Sequence, residues 1–379
     1  MDQNLKTDAV TATKTLCGHL AEAKFSDLTP AALHEARRGV LDWIGCALAG
    51  SGHRTITTLL GVLEETTGKP QATALGRKLK LGLLDAPLAN GQMGHVLDYD
   101  DTHMGGVVLH TSSPVLAALF ALSERKPVSG ADLMLAYAVG FEAGVRSGRT
   151  APGHHKGGWH LTGTLGSIAA GVASGKLIGL DRQKLTYAMG ISATQAAGMQ
   201  QNRGSDCKSL HAGKSAYHGV LASMLASNGF NSSPEILEGN LGFTKIFSAT
   251  QQNDAITAGL GREWMITGNG YKPYACGVVL HPLIDAMIEV SRKTNRPAAE
   301  VDQVEVQVHP DVIRITGVDQ PGSGLMSKFS ANHAAAVAYI DQAAGVAQFT
   351  NERAEDSNVQ SLRKLIQVKP VPAFRLDQS

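Results

Sequence analysis

From Gly163 to Gly175 the chain reads GTLGSIAAGVASG, and from Ala193 to Gly198 it reads ATQAAG, so small residues recur inside apolar runs. Residues of this size let helices approach one another closely, at a cost of about 1 kcal/mol of helix propensity per glycine. The bias extends to the whole chain: glycine supplies 42 of 379 residues and aromatic residues only 5%. The expectation is a set of tightly packed helices, not flexible linkers. With 43% hydrophobic and 18% charged residues there is enough apolar material for a sizeable core. At roughly 150 residues per domain the length fits two domains.

The charges nearly cancel. Thirty-four Lys and Arg against 33 Asp and Glu leave a formal charge of +1, which gives no electrostatic footprint for nucleic acid or an anionic membrane surface. No uncharged apolar run reaches membrane-spanning length, and the first twenty residues lack the apolar core of a signal peptide. Cys17, Cys46, Cys207 and Cys276 form neither a CxxC pair nor a zinc knuckle, and their scatter gives an iron–sulfur cluster no support from the sequence. A reducing, cytoplasmic setting is the expectation. GVASGKL at 171–177 lacks both the spacing and the Ser or Thr of a phosphate loop, and GNG at 268–270 is not continued as a dinucleotide fingerprint.

Capping signals place the first long helix. Thr29 reads as N-cap, Pro30 as N1 and Gly50 as the stop, with Leu33, Val40, Ile44 and Leu48 as the apolar face. Helical patterns follow over 54–67, 83–97, 114–124, 130–149, 162–179, 182–199, 211–228 and 251–260. The period changes after residue 270. A helix near 280–293 precedes a strand over 301–308, in which Val304, Val306 and Val308 alternate with Glu305 and Gln307. A helix over 329–341 leads through a polar stretch to a second strand at 366–374, restricted to an edge by Pro370 and Pro372. The fold class is therefore mainly α: an all-helical domain over 1–268 and a small α/β domain over 269–379. The latter is marginal, because a lone pair of strands needs a covering helix.

Four segments can carry chemistry. HVLDYDDTHMGGVVLHTSSP, residues 95–114, gathers three carboxylates and three histidines at a helix end followed by a glycine-containing loop. Three readings stay open there on pattern alone. The acidic end can cap and solvate itself; Asp98, Asp100 and Asp101 can bind Mg²⁺; or Asp98 orients a histidine while His110 exchanges protons near neutral pH. HHKGGWHLTGTLG, residues 154–166, puts His160 just before a glycine-rich helix start whose N–H groups favour an anion, against the ordinary alternative of a hydrogen-bonded core histidine. His154 and His155 read as surface residues.

GSDCKSLHAGKSA at 204–216 and YKPYACG at 271–277 set lysines in small or aromatic company. Lys208, Lys214 and Lys272 can hold carboxylates as point charges or simply be solvated. Cys207 and Cys276 read as structural thiols more readily than as nucleophiles.

Taken together, GQMGHVLDYDDTH at 91–103, HTSSP at 110–114, GWHLTGTLG at 158–166, KSLHAG at 208–213 and YKPYAC at 271–276 resemble the MmgE/PrpD family. That family contains 2-methylcitrate dehydratases, cis-aconitate decarboxylases and an iminodisuccinate epimerase. The resemblance covers nearly the whole chain. It implies a large helical domain and a smaller α/β lid with the active site in the cleft between them, usually in a homodimer, with no organic cofactor or metal required. Family active-site residues fall on Asp98, His110, His160, Lys208 and Lys272. Two departures stand out. FSANH at 329–333 places His333 where the family often has a tyrosine, making it a candidate proton donor. Family members commonly run several tens of residues further, so a chain ending at Ser379 is expected to have an incomplete lid.

The resemblance and the residue types imply a cofactor-independent lyase acting on a di- or tricarboxylate. In it Lys208 and Lys272 neutralise carboxylates while His110 and His160 act as acid and base. Dehydration of a 2-methylcitrate-like substrate comes first, with cis-aconitate decarboxylation and iminodisuccinate epimerisation as alternatives. A non-catalytic dimeric module is the reading if the truncation is real.

Overall fold

In the computed structural model, which describes residues 11–374, helices succeed one another from Ala12 to Ser227. They are α1 (Ala12–Glu22), α2 (Pro30–Gly50), α3 (Arg54–Thr66), α4 (Asp85–His95), α5 (Ser112–Arg125), α6 (Gly130–Arg149), α7 (Leu161–Leu177), α8 (Arg182–Ala193) and α9 (Asp206–Ser227), followed by the short α10 (Phe243–Phe247). Two-residue strands pair locally: β1 (Ala72–Thr73) with β2 (Lys80–Leu81), and β3 (Thr102–His103) with β4 (Asn269–Gly270). Among the described residues no helix is long and apolar enough to cross a membrane.

Two compact units result. One comprises the chain up to Val96, Asp100–Gln201 and Ser209–Tyr271. The other comprises Leu97–Tyr99, Asn202–Lys208 and the chain from Lys272 onward. The division is therefore not a single cut in the chain, because two short segments from the helical part belong to the second unit.

Within the first unit, the caps act where the sequence places them. The Thr29 hydroxyl accepts from Ala32 N, and Pro30 occupies the first turn. The buried face of α2 differs from the expected one. It runs through Ala32, Ala36, Gly39, Trp43 and Ala47, whereas Leu48 is half exposed and Leu33, Val40 and Ile44 are only partly buried. Close backbone approach decides the orientation, since a Cβ on Gly50 would lie 2.8 Å from Val96 Cγ1.

The same principle builds the centre. Helix α7 is buried from Leu161 to Gly175, and Gly219 of α9 passes it so closely that a Cβ there would sit 2.5 Å from Ala170 Cβ. Side chains add to this backbone packing at one buried pair. Arg146 Nε meets Glu142 Oε1 at 2.5 Å, Arg146 also donates to Ala258 O at 2.7 Å, and Glu142 accepts from Met265 N at 2.7 Å.

Two expected helices are shorter than the patterns suggest. Helix α8 stops at Ala193, and the ATQAAG stretch instead lies along the start of α7, where His160 N donates to Gly198 O. The pattern over 251–260 gives only a 3₁₀ turn at Asn253–Ile256, because Gly259 takes a left-handed φ of 66° and the carbonyls of Ile256 and Ala258 are taken by Arg146.

The second unit has α11 (His281–Thr294), α12 (Pro310–Thr316), α13 (Gly324–Ser327), α14 (Ala331–Asp341), α15 (Asn351–Glu355) and α16 (Ser357–Leu365), with β5 (Val304–Val308) and β6 (Ile366–Pro370). The two strands are parallel, in register from Val304 opposite Ile366 to Val308 opposite Pro370. A parallel pair requires a long crossover, which α12–α16 provide. Val306 and Val308 share a core with Ile284 and Met287 of α11, Val337 of α14, and Val359 and Leu362 of α16. The strand pair therefore has the helical cover it needs.

Candidate active site

Four histidines of the first unit stand in ring contact. His95 ends α4, His110 lies on the loop before α5, His160 is the N-cap of α7 and His211 is on α9. Ring centroids are 4.7 Å apart for His95 and His110, 5.5 Å for His95 and His160, and 5.2 Å for His160 and His211. Glycines bring their helices together: a Cβ on Gly91 of α4 would lie 2.8 Å from Gly213 Cα of α9.

Each ring is oriented through Nδ1. His95 Nδ1 bonds Asp100 Oδ2 at 2.8 Å, and the same carboxylate oxygen accepts from Ser113 Oγ at 2.8 Å. His110 Nδ1 bonds Asp101 O at 2.8 Å and Thr102 Oγ1 at 3.0 Å. His160 Nδ1 and His211 Nδ1 are 2.9 Å apart. Beneath them Asp101 is fully buried, accepting from Ser112 Oγ and Asn269 Nδ2, each at 2.7 Å. Burial first, then the charges of Asp42 and Asp100, push its carboxyl up to about 8. Asp101 anchors β4 and the start of α5.

A second constellation lies inside the other unit. Asp98 adopts φ 51°, a left-handed conformation uncommon outside glycine. Its Oδ1 accepts from Lys208 Nζ at 2.6 Å and Lys272 Nζ at 3.2 Å, and its backbone oxygen accepts from Lys272 Nζ at 2.9 Å. Lys328 sits under the same turn, donating to Leu97 O and Ala275 O, each at 2.7 Å. Burial pulls its ammonium down to about 8 despite the opposing charge of Asp98. All four side chains are buried, so two ammonium groups converge on one carboxylate oxygen in a setting of low dielectric, where charge interactions are strong.

The structure thus brings together His110 and His160 in one unit, and Asp98, Lys208 and Lys272 in the other. It reassigns some of the expected partners. The carboxylate hydrogen-bonded to His95 is that of Asp100, while Asp98 is held by lysines. Of the three aspartates read as possible Mg²⁺ ligands, Asp98 is held by lysines, Asp100 by His95 and Ser113, and Asp101 by Ser112 and Asn269.

His154 is buried, not on the surface. It packs in a nest of Trp159, Phe243 and Phe247, where burial and then the neighbouring His155 charge hold its imidazole down to about 3. His155 is partly buried. His333 joins neither constellation. Its Nε2 bonds Gln348 O at 2.8 Å, its ring packs on Phe349, and burial lowers it to about 4.

Lys214 caps carbonyls of the 195–197 stretch. Cys276 is buried and its thiol is pushed up to about 12, a neutral and unreactive state. Sequence reasoning missed His95, His211 and Lys328, and offered Asp100 only as a metal ligand. The last was signalled only by a lone lysine, directly before Phe329, in the segment leading into a buried helix.

The sequence profile described as the MmgE/PrpD N-terminal domain matches residues 14–255, and the C-terminal domain profile of the same name matches 274–378. This chain belongs to the MmgE/PrpD family. Among other MmgE/PrpD proteins it is similar to the cis-aconitate decarboxylase of Aspergillus terreus (strain NIH 2624 / FGSC A1156), with 29% identity over 372 residues covering 92% of this chain and 75% of that protein. The cis-aconitate decarboxylase-like protein oryM of Aspergillus oryzae is 31% identical over 298 residues, 74% of this chain and 61% of its own length. The cis-aconitate decarboxylase of Mus musculus is 25% identical over 379 residues, 95% of this chain and 76% of its own length. The histidine set of this MmgE/PrpD chain falls within the N-terminal match, and Lys328 within the C-terminal one.

Proposed function

We propose that this chain is a lyase that decarboxylates cis-aconitate to itaconate. The observation that carries the reading is the convergence of Lys208 and Lys272 on Asp98, an arrangement in which buried ammonium groups are preset for carboxylates. The names of the relatives move decarboxylation ahead of the dehydration that the resemblance put first.

The chemistry balances without an oxidant or reductant. The lysines hold two carboxylates of the substrate. The bond between the methylene carbon and its own carboxylate breaks, CO₂ leaves, and the electron pair moves into the adjacent alkene, which is conjugated with a further carboxylate. Lysine charge stabilises the resulting anion, and a histidine of the set protonates the far carbon to give itaconate. His110 and His160 are the candidates for that step. His95, tied to Asp100, positions the cluster, and His333 takes no part.

Proton NMR in D₂O tests this with cis-aconitate, citrate and 2-methylcitrate supplied separately and Lys272→Met as control. Itaconate carrying one deuterium on its saturated methylene is the expected product. A new alkene from 2-methylcitrate with cis-aconitate untouched would replace the reading with dehydration. Silence on all three would remove it.

A further inference from the structure

We propose that His95, His110 and His160 form a binding site for a zinc-type transition-metal ion, and that the bound ion blocks the reaction; the second half rests on the function proposed above, the first does not. The three rings each offer one ligand atom, and these atoms lie within 4.8 Å of one another. Centroid separations of 4.7, 5.5 and 6.3 Å make the three rings the corners of a triangle, not members of a row.

The decisive feature is what Nδ1 does in each ring. Metal-binding histidines almost always give their other ring nitrogen to a carboxylate, a backbone carbonyl or water, which fixes the tautomer and makes the ligating nitrogen more basic. His95 has the carboxylate, Asp100 Oδ2 at 2.8 Å. His110 has the carbonyl, Asp101 O at 2.8 Å. His160 Nδ1 has a different partner, the imidazole of His211 at 2.9 Å. With Nδ1 engaged in each ring, Nε2 is the nitrogen that the proposal takes as ligand, and for His160 this is the tautomer in which Nδ1–H donates to His211.

An all-imidazole set suits zinc, cobalt, nickel and copper and gives no advantage to magnesium or calcium, which prefer oxygen. Zinc–nitrogen bonds of about 2.0–2.1 Å in a tetrahedron require the rings to close by up to about 1 Å at their edges. His160 is only partly buried and can turn. Three protein ligands leave a fourth position, which a substrate carboxylate or water would fill. Occupying the imidazole nitrogens removes the groups that supply the proton, so inhibition is expected to be complete and reversed by a chelator.

The test titrates the full chain with Co²⁺ and records its visible absorption, which is strong for tetrahedral and weak for octahedral coordination. The expected result is one equivalent of intense absorption, discharged by Zn²⁺ and unaffected by Mg²⁺. His95→Gln and His160→Gln should abolish it, Asp100→Asn should weaken binding by about tenfold or more, and the exposed His34→Gln should leave it unchanged. Circular dichroism of each variant checks folding, and Asp100→Asn keeps the test valid if a histidine variant fails to fold.

Absence of intense absorption, or absorption that survives in folded His95→Gln, overturns the site. If Co²⁺ binds as described and cis-aconitate is not turned over, the site stands and the decarboxylase reading is what has failed. Undiminished turnover with Zn²⁺ bound overturns the inhibition.

Discussion

The histidine set and the lysine set are held by opposite means. In the first unit each imidazole is fixed by a hydrogen bond at Nδ1, from three partners of different chemistry. In the second, Lys208 and Lys272 are gathered by the single carboxylate of Asp98, and Lys328 pins the turn beneath it through two carbonyls. Hydrogen bonds at one ring nitrogen set direction, whereas charges in a buried setting set field strength. On the function proposed above, the difference amounts to a division of labour, with the lysines governing substrate and anion binding and the histidines governing proton delivery.

The largest effect should come from Lys272→Met, which removes both contacts to Asp98. A fall in kcat/KM of about 10³-fold is expected, shared between a raised KM and a lowered kcat, in steady-state kinetics on cis-aconitate. His160→Gln or His110→Gln should lower kcat by about 10²-fold and leave KM within about twofold. Should the histidine variants raise KM as the lysine variant does, the division of labour is wrong.

Asp100→Asn sharpens the contrast further, since it alters the carboxylate that holds His95 and leaves the lysine set untouched. A smaller loss, on the order of tenfold in kcat with unchanged KM, is expected. Lys328→Met should act through stability, lowering it by about 1–3 kcal/mol in urea unfolding because two buried carbonyls lose their donor. A kinetic loss with unchanged stability would instead move Lys328 into the chemistry.

The smallest effect concerns pH and pairs the units again, because each buries histidines as neutral rings: His154 in the first, held down to about 3, and His281 and His333 in the second, each held down to about 4. Their unfolded forms take up protons below about pH 6.5. The unfolded state therefore binds more protons between that pH and the folded values, and stability falls as the pH drops through this window. His154→Phe should flatten the acid limb of a stability-against-pH curve. An unchanged limb would mean that His154 is already protonated in the fold.

Much of the fold was legible because caps and breakers act locally, as Thr29 and Pro30 do at the start of α2. The buried face of that helix was not. Counting large apolar residues selected Leu33, Val40, Ile44 and Leu48, while a glycine-rich packing surface rewards the face that lets backbones approach. Strand β5 was legible from the alternation of Val304, Val306 and Val308, whereas α16 was not, since only a few of its residues, Val359 and Leu362 among them, are apolar and buried.

At the site, motif resemblance reached Asp98, His110, His160, Lys208 and Lys272, but not who holds whom. Lys208 finds Asp98 across 110 residues and Lys328 finds Leu97 across 231. The Asp100–His95 pair spans five residues across a helix end, a spacing that no periodic pattern marks.

Asp98 answers to two selections at once. Its φ of 51° admits glycine, asparagine or aspartate at little cost, while most other residues pay roughly 1–2 kcal/mol. The lysines demand a negative charge, which only aspartate among those three supplies. Sequence drift at this position is therefore closed from both sides. Asparagine would keep the turn and discard the charge, glutamate would keep the charge and oppose the turn, and a scan with alanine would mix the two losses into a single number.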